Sequence, residues 1–234
     1  LNQAGVDFHS AGQDPGITGK CLVMVTQDAE RTMNTFLGAS ETISAKEIDR
    51  QALKNSEWFY VEGYLATNEL RTKATRDAVE FAKEHGVKIA ISLSDPFVVE
   101  VFGDALRDVM VDGVDLVFCN KDEALTFTGS NDLGSAIEKL KLISKSFAIT
   151  DGANGAITYD GESVLRSKGV PVKAIDTNGA GDMFAGAFLY AITSGKSYDW
   201  AAKLANYCAS RVVAKFGPRL GLEDFDVIRV KFGI

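Results

Sequence analysis

Strand-like and helix-like segments alternate through the middle of the chain, and this alternation most limits the folds that it can adopt. Residues 58–64 and 87–93 are short apolar runs typical of strands. Between them, residues 67–85 have the periodicity of an amphipathic helix that stops at Gly86. Its predicted buried face comprises Leu70, Ala74, Ala78, Phe81 and Ala82. Strands separated by helices favour a mainly parallel sheet covered on both faces, so the sequence predicts an α/β fold.

The same alternation continues to both sides. Helices are predicted over 133–145 and 198–215, and the apolar positions of the second are Trp200, Leu204, Cys208, Val212 and Phe216. Ser44-Ala-Lys-Glu47 predicts a capping box that opens a short helix. The predicted strands cover residues 21–26, 32–37, 115–119, 147–150, 157–159 and 163–166. The last two flank Asp160-Gly161, a hairpin signal.

The segment Asp176-Thr-Asn-Gly-Ala-Gly-Asp182 has the pattern of a turn that leads into a helix. An apolar, β-branched run over 170–175 precedes it and predicts a strand. Apolar residues at helical spacing follow it, namely Phe184, Phe188, Ala191 and Ile192. Glycines let another molecule approach the backbone, and the first N–H groups of a helix have no partner within it. The turn is therefore a candidate anion site.

Asp182 needs a separate explanation, because a fixed carboxylate beside an anion site repels a phosphate. Its presence is explained if it accepts a proton from a hydroxyl group that attacks phosphorus. The alternative is that Asp182 only occupies the first turn of the helix, where acids are favoured. The glycines would then permit tight packing and nothing more, and the turn by itself leaves both interpretations open.

Composition and charge exclude several classes of protein. The 234 residues, 46% of them hydrophobic, are enough for one large α/β domain. No apolar run approaches the length of a membrane span, and no signal peptide is evident, so we expect a soluble cytoplasmic protein. The net charge is −7 and no basic block is interleaved with aromatic residues, so nucleic acid is not an expected partner.

Patterns typical of other enzymes are missing. The three cysteines, Cys21, Cys119 and Cys208, lie far apart and indicate neither a disulfide framework nor a zinc site. The histidines are His9 and His85, and neither G-x-S-x-G nor H-E-x-x-H occurs, so nothing supports a hydrolase or a metalloenzyme. Gly16-Ile-Thr-Gly-Lys-Cys lacks the spacing of a P-loop.

Three motifs together resemble the PfkB, or ribokinase-like, family of carbohydrate and nucleoside kinases. Asp176-Thr-x-Gly-Ala-Gly-Asp182 with its Phe/Ala/Gly-rich helix is similar to the C-terminal signature of that family. Asn120-x-x-Glu123 and Thr150-x-Gly152-x-x-Gly155 are similar to two further family motifs, in the expected places. The resemblance implies a three-layer α/β/α sandwich with a mainly parallel central sheet and a small β lid. Residues 1–234 would form the C-terminal two-thirds of the family fold, without its N-terminal glycine-rich signature, and residues 16–40 would be part of the lid.

The resemblance also implies roles for individual residues. Asp182 would be the catalytic base, and the anion hole would be formed by backbone N–H groups of Gly179, Ala180 and Gly181. ATP would contact Asn120, Glu123, Thr150, Gly152, Gly155, Thr177, Asn206 and Ala209. The acceptor would contact Asp182 and Arg31. Tyr64 and Leu65 are further acceptor candidates on a separate ground, because they follow a predicted strand at the sheet edge where α/β folds bind ligands. Glu123 would hold Mg²⁺ through water, and Asp176 and Asn178 would hold a monovalent cation such as K⁺.

Several of these residues have plainer interpretations. Asn120 and Glu123 make a good helix N-cap, and Asp-Gly and Asn-Gly pairs are common turns. Arg31 fits an exposed turn arginine, and Asn206 and Ala209 fit the core or the surface equally. The sequence Ser-Leu-Ser-Asp-Pro-Phe at residues 92–97 is similar to that of the adenosine kinase branch of the family, but Asp-Pro also favours ordinary turns.

The implied function is transfer of the γ-phosphate of ATP to a primary hydroxyl group of a sugar or nucleoside, with adenosine favoured. One alternative is a ribokinase- or fructokinase-like sugar kinase. Another is a regulator on the same fold that binds nucleotide without catalysis. The expected partners are small molecules rather than nucleic acids or membranes, and exposed strand edges of the lid are compatible with a homodimer.

Overall fold

A computed structural model describes residues 5–8, 16–29 and 31–234, with the side chain of Arg31 outside the description. Strands β1 (Thr18–Val25) and β2 (Arg31–Gly38) form a two-stranded sheet. Both predicted strands at this place are therefore confirmed, with β1 beginning earlier than expected. Whether this ribbon acts as a lid stays a prediction.

The remaining strands are β3 (Trp58–Glu62), β4 (Lys88–Ser92), β5 (Val114–Asn120), β6 (Ser144–Thr150), β7 (Gly155–Tyr159) and β8 (Val164–Lys168). The helices are α1 (Arg50–Lys54), α2 (Glu69–Glu84), α3 (Pro96–Met110), α4 (Lys121–Thr128), α5 (Leu133–Leu140), α6 (Ala180–Thr193), α7 (Tyr198–Val213) and α8 (Leu222–Phe232). Short 3₁₀ turns cover Ala39–Thr42, Ala45–Glu47, Gly63–Thr67 and Gly152–Asn154.

Six strands form the central sheet in the order β3-β4-β5-β6-β7-β8. β3 and β4 pair in parallel, as expected for strands joined through a helix, whereas β7 pairs antiparallel with both β6 and β8. The helix-flanked sheet confirms the predicted α/β fold. Along the described ranges, no helix combines the length and the apolar character needed to cross a membrane.

The chain divides into two compact units. The first takes the described residues up to Cys21 together with Thr35–Asp115, and the second takes Leu22–Asn34 and Leu116–Ile234. In the first unit, the buried face of α2 is formed by Ala74, Ala78, Val79 and Ala82, and α3 buries Val98, Val99, Leu106 and Val109. Leu70, which we placed on the buried face of α2, is instead 50% exposed. It lies beside the N-cap Asn68, in the first turn of the helix.

In the second unit, helices α6 and α7 pack along one another. The core of this unit takes Phe184, Phe188 and Ala191 from α6 and Leu204, Cys208 and Val212 from α7, as predicted. Phe216 is 76% exposed because α7 ends before it. All three cysteines are free thiols, of which Cys119 and Cys208 are buried and Cys21 is exposed, and burial raises the pKa of Cys208 to about 11.

Two predicted elements are wrong and a third ends early, since the helix predicted over 133–145 stops at Leu140 and residues 144 and 145 belong to β6. Residues 170–175 form no strand, since β8 ends at Lys168 and Pro171 has no N–H for a ladder. The backbone N–H of Ile175 instead donates to Val213 O at 2.7 Å, so this segment is anchored to the end of α7. The capping box at Ser44 is present, but it opens a 3₁₀ turn, and the α-helix begins only after a second N-cap at Asp49.

Candidate active site

The predicted anion turn lies at the N-terminus of α6 in the second unit. Gly179 is the N-cap residue, with φ +75°, and it offers no side chain to bond the first N–H groups of the helix. A Cβ at Gly179 would lie 2.6 Å from both the Cβ and the carbonyl oxygen of Pro218. Glycine is therefore required here for two independent reasons, its backbone conformation and its close neighbour.

The next residues of the turn face open space. A Cβ built at Gly181 would have no neighbour within 4 Å, and both Gly181 and Asp182 are exposed. The N–H of Ala180 donates to Thr177 O at 3.3 Å, so one of the three predicted anion-hole donors already has an acceptor. The N–H groups of Gly181 and Asp182 follow in the first turn of α6, where an α-helix supplies no acceptor.

Asp182 is an exposed carboxylate in the first turn of α6. Throughout the described part of the chain, no hydrogen bond or ion pair to its side chain is found. A carboxylate with this freedom is able to accept a proton from another molecule. The structure thus places the predicted base beside the predicted anion donors.

Asp176 is buried and serves the backbone of the same turn. Its Oδ1 accepts from Asn178 N at 2.9 Å, and its Oδ2 accepts from Gly217 N at 2.9 Å. The carboxylate therefore joins the turn to the loop after α7, in which Gly217 and Pro218 lie. Both carboxylate oxygens of Asp176 therefore already accept hydrogen bonds from the backbone. A monovalent cation at Asp176 and Asn178 stays a prediction.

Thr177 connects the motif to the turn between β1 and β2. Its Oγ1 donates to Ala29 O at 3.0 Å, and its N–H donates to the same oxygen at 3.3 Å. Ala29 is buried and has φ +66°, a conformation that is strained for alanine. Arg31 follows two residues later at the start of β2, so its backbone lies near the motif, while its side chain is outside the description.

Asn120 and Glu123 form a reciprocal capping box at the start of α4. Glu123 Oε2 accepts from Asn120 N at 2.9 Å, Glu123 Oε1 accepts from Asn120 Nδ2 at 2.7 Å, and Asn120 Oδ1 accepts from Glu123 N at 2.8 Å. Glu123 is buried. The pKa of the adjacent Cys119 thiol is raised, first because Cys119 itself is buried and second because Glu123 is negatively charged. The capping interpretation is observed, and the role toward Mg²⁺ and phosphate stays a prediction.

The motif from Thr150 to Gly155 follows β6 and turns the chain into β7. Gly152 has φ +52° and open space beside it, whereas a Cβ at Gly155 would lie 2.1 Å from Ser167 O. Lys121 Nζ lies 3.8 Å from Asp151 Oδ1, which brings this turn near the start of α4. One glycine of the motif is therefore open to a ligand and the other is fixed by the chain itself.

Asn206 and Ala209 lie on α7, the first buried and the second half-buried. The Asn206 amide nitrogen faces the backbone of β8 rather than open space, with Ser167 Oγ at 3.1 Å and Lys168 O at 3.2 Å. Their contact with adenine stays a prediction.

The predicted acceptor residues Tyr64 and Leu65 belong to the first unit. They lie in the 3₁₀ turn that directly follows β3, and Tyr64 is 41% exposed. Ser94, just after β4, has φ +72°, and its Oγ accepts from Gly63 N at 2.8 Å and donates to Glu62 Oε2 at 2.9 Å. Both turns follow the carboxyl ends of parallel strands, where α/β sheets bind ligands.

Most predicted site residues thus cluster in the second unit, and sequence reasoning missed Gly217 and Pro218. In the sequence, the dipeptide Gly217-Pro218 indicates only the end of the preceding helix. In the structure, this loop holds the anion turn through the Asp176–Gly217 hydrogen bond and the contact of Pro218 with Gly179.

The second unit fits a polyphosphate with a hydrated cation. The open N-terminus of α6 suits an anion, and the space beside Gly181 is open. The turn at Gly152 is open as well. Within the ranges that the structure describes, no three His, Cys, Asp or Glu side chains converge to hold a metal ion. Mg²⁺ commonly keeps several waters and binds through substrate phosphates.

Comparisons with known proteins point to one family. The family model of pfkB family carbohydrate kinases matches residues 1–224. Adenosine kinase of Saccharomyces cerevisiae is 27% identical over 92% of this chain and 67% of its own length. The crystal structure of adenosine kinase from Sinorhizobium meliloti is 33% identical, with a TM-score of 0.92 over 98% of this chain and 71% of that one. An E. coli protein assigned as a ribokinase II, solved with ATP and Mg²⁺, is 23% identical, with a TM-score of 0.79 over 90% and 71%. The chain spans about two thirds of the length of such relatives.

Proposed function

The chain belongs to the pfkB family of carbohydrate kinases, and on that premise we propose that its second unit binds ATP and catalyses phosphoryl transfer to a hydroxyl group. Members of this family are ATP-dependent phosphotransferases acting on hydroxyl groups. The predicted family is therefore confirmed, and with it the class of enzyme that its members form. The activity of the whole protein and its acceptor belong to the proposal.

The main support is an exposed carboxylate that has no partner among the described residues and lies beside a helix N-terminus to which none of them supplies a side-chain cap. Asp182 and Gly181 share the first turn of α6, and the space next to Gly181 is open. The acids at the same third position of α4 and α8 bond the N-cap residue, since Glu123 accepts from Asn120 N at 2.9 Å and Asp224 accepts from Gly221 N at 3.0 Å. Asp182 instead points to a proton acceptor next to an anion site.

The chemistry follows from this arrangement. When bound, ATP with Mg²⁺ supplies the phosphoryl group and the cation that neutralises its oxygens. Asp182 accepts the proton of the acceptor hydroxyl as the new oxygen–phosphorus bond forms and the bond to the leaving ADP oxygen breaks. The N–H groups at the start of α6 hold the charge that develops on the transferring group. Because the transition state is loose, positioning and electrostatics contribute more than strong basicity of Asp182.

The remaining parts of the nucleotide site are assigned on the same basis. The turn Thr150–Gly155 lies open at Gly152 and would wrap the ribose and phosphates. Glu123 would act on Mg²⁺ through water, since Asn120 already bonds both of its oxygens. The hydrogen bond from Thr177 to Ala29 holds the turn between β1 and β2 beside the motif of residues 176–182. Arg31 follows this turn, which supports a role for Arg31 toward the acceptor or its phosphate.

Adenosine is the acceptor that we favour. The yeast and Sinorhizobium relatives are adenosine kinases, which supports this choice. The ribokinase relative keeps a sugar acceptor as the second candidate. A monovalent cation at Asp176 and a homodimer through β1 and β2 remain predictions, the second supported by the exposed side chains of Leu22 and Phe36.

The decisive experiment measures ADP formation with Mg²⁺-ATP against adenosine, ribose and fructose. It uses this chain and, where the gene encodes more residues, the full-length protein. Asp182→Asn should reduce turnover by roughly 10²-fold or more, the usual scale for loss of a general base, and leave ATP affinity similar. Asp199→Asn is the matched control, because Asp199 lies in the first turn of the neighbouring α7 and, among the described residues, bonds only Lys203 at the surface.

Near-normal turnover of Asp182→Asn would reject Asp182 as the base. If ATP bound but no acceptor were phosphorylated, a nucleotide-binding regulator would replace the kinase as the better explanation.

A further inference from the structure

The side chain of Asn206 bonds another part of the same chain, which its position in the sequence does not indicate. Asn206 is buried on α7, and its Nδ2 lies 3.4 Å from Ser167 O, 3.1 Å from Ser167 Oγ and 3.2 Å from Lys168 O. An amide nitrogen has two N–H groups, so three acceptors at these distances take its whole donor capacity. The amide therefore bonds the end of β8 and has no donor left for a nucleotide.

The end of β8 is in backbone contact with the predicted nucleotide turn. A Cβ at Gly155 would lie 2.1 Å from Ser167 O and 2.4 Å from Gly169 N, and a Cβ at Gly169 would lie 2.2 Å from Ala153 O. Gly169 N also donates to Asn154 O at 3.3 Å. No side chain separates the two backbones, so a shift of residues 167–169 moves the turn with it.

Asn206 therefore links two parts of the candidate site. Its own helix, α7, packs along α6, whose N-terminus is the proposed anion site. Its amide holds Ser167 and Lys168, and these hold the turn that ends at Gly155. The spacing between the phosphate end of the site and the turn that would wrap the ribose depends on this connection.

We propose that Asn206 is a positioning residue, which sets the place of the Gly152–Gly155 turn relative to α6 and thereby the affinity for nucleotide. The inference rests on the proposed function for the identity of the ligand. It differs from a direct contact with adenine, because a displaced turn weakens every nucleotide that has a ribose and phosphates, whatever its base.

The test compares Asn206→Asp, which keeps the shape of the side chain and replaces its donor by an acceptor, with the wild type. Ser210→Ala is the matched control, because Ser210 is equally buried on α7 and bonds Tyr207 O in its own helix. Calorimetry measures the dissociation constants of Mg²⁺-ATP and Mg²⁺-GTP, together with the fraction of molecules that bind. Hydrogen exchange measures protection of the amides of Gly169 and Asn154.

We expect Asn206→Asp to weaken ATP and GTP by the same factor, about tenfold, the loss that corresponds to a hydrogen bond. The Gly169 amide should exchange faster, and Ser210→Ala should change neither quantity. A variant that is only less stable would show fewer binding molecules with an unchanged dissociation constant, which would overturn the inference. Loss of ATP affinity alone would overturn it in favour of a contact with adenine. A wild-type chain that binds neither nucleotide would instead overturn the proposed function.

Discussion

The two glycine turns of the second unit are alike in sequence and divide their glycines in the same way. In the turn before α6, Gly179 is forced by its positive φ and by Pro218, whereas Gly181 borders open space. In the turn after β6, both glycines have positive φ, but a Cβ at Gly155 would meet Ser167 O, whereas a Cβ at Gly152 would have no neighbour. Each turn thus contains one glycine that the fold requires and one that leaves room outside the chain.

The turns differ in what holds them. The first is fastened from the loop after α7, through the Asp176 carboxylate and Pro218. The second is fastened from the end of β8, which Asn206 holds. Two similar motifs therefore depend on different distant residues, so damage to one turn need not affect the other.

The largest expected effect is loss of stability on changing a forced glycine. Gly155→Ala would place a Cβ 2.1 Å from a backbone carbonyl at φ +98°, and neither backbone can yield cheaply. We expect a loss of more than about 3 kcal/mol in the free energy of unfolding. Gly152→Ala, with φ +52° and no neighbour, should lose only about 1–2 kcal/mol. Urea denaturation measures both, and equal losses would remove the distinction between the two kinds of glycine.

A smaller loss of stability is expected at low pH, and it should affect only the turn before α6. Asp224 on α8 is buried and bonds Lys215 Nζ, Arg211 Nη2 at 2.8 Å and Gly221 N at 3.0 Å. The hydrogen bond from Lys215, followed by that from Arg211, lowers the pKa of Asp224 from 3.8 to about 2. A lowered pKa stabilises the folded state above pH 4, by about 2 kcal/mol, and this contribution is lost as the pH falls from about 4 to about 2.

Asp224 fastens α7 to α8 on either side of the loop that holds Gly179. Acidification should therefore lower the protection factor of the Asn178 amide, which compares its exchange rate with that of an unfolded peptide at the same pH, before it lowers that of Asn154. Asp224→Asn should show the same order already at pH 7. Simultaneous loosening of the two turns would contradict their separate anchoring. Urea denaturation of the wild type and of Asp224→Asn at pH 7 and pH 3 should give a difference that shrinks in acid.

The smallest expected change in stability comes from replacing a glycine of α6 that has open space beside it, either inside the candidate site or outside it. Gly181 and Gly186 both lie in α6, both are exposed, and neither would give a Cβ any neighbour within 4 Å. Alanine at either position should stabilise the helix by about 0.5–1 kcal/mol. Only Gly181→Ala should also weaken Mg²⁺-ATP, as its methyl group enters the space beside the helix N-terminus. Thermal unfolding and calorimetry measure the two effects, and unchanged nucleotide affinity in Gly181→Ala would mean that this space is not a phosphate site.

Local patterns predicted much of the fold and of the site. Helical spacing placed α2, α6 and α7, and the Asp160-Gly161 turn placed β7 and β8, because these signals lie within a few residues of each other. The Asn120–Glu123 cap was likewise visible from its spacing of three.

What the sequence could not predict depends on residues far apart in the chain. The segment 170–175 looked like a strand, but its partner is the end of α7 rather than another strand. The dependence of Gly179 on Pro218 joins positions that no periodicity connects. Asn206 looked equally like core or surface, and only its three acceptors on β8 show its place.

β8 has a further consequence as the last strand in the order of the central sheet. An edge strand offers its backbone to strands of other molecules, and proteins protect such edges against aggregation. Exposed charged side chains at Arg166 and Lys168 discourage a neighbour, and the Asn206 amide covers the carbonyl group of Lys168. The contact that places a turn of the candidate site thus also makes the end of the sheet a poor template for another chain.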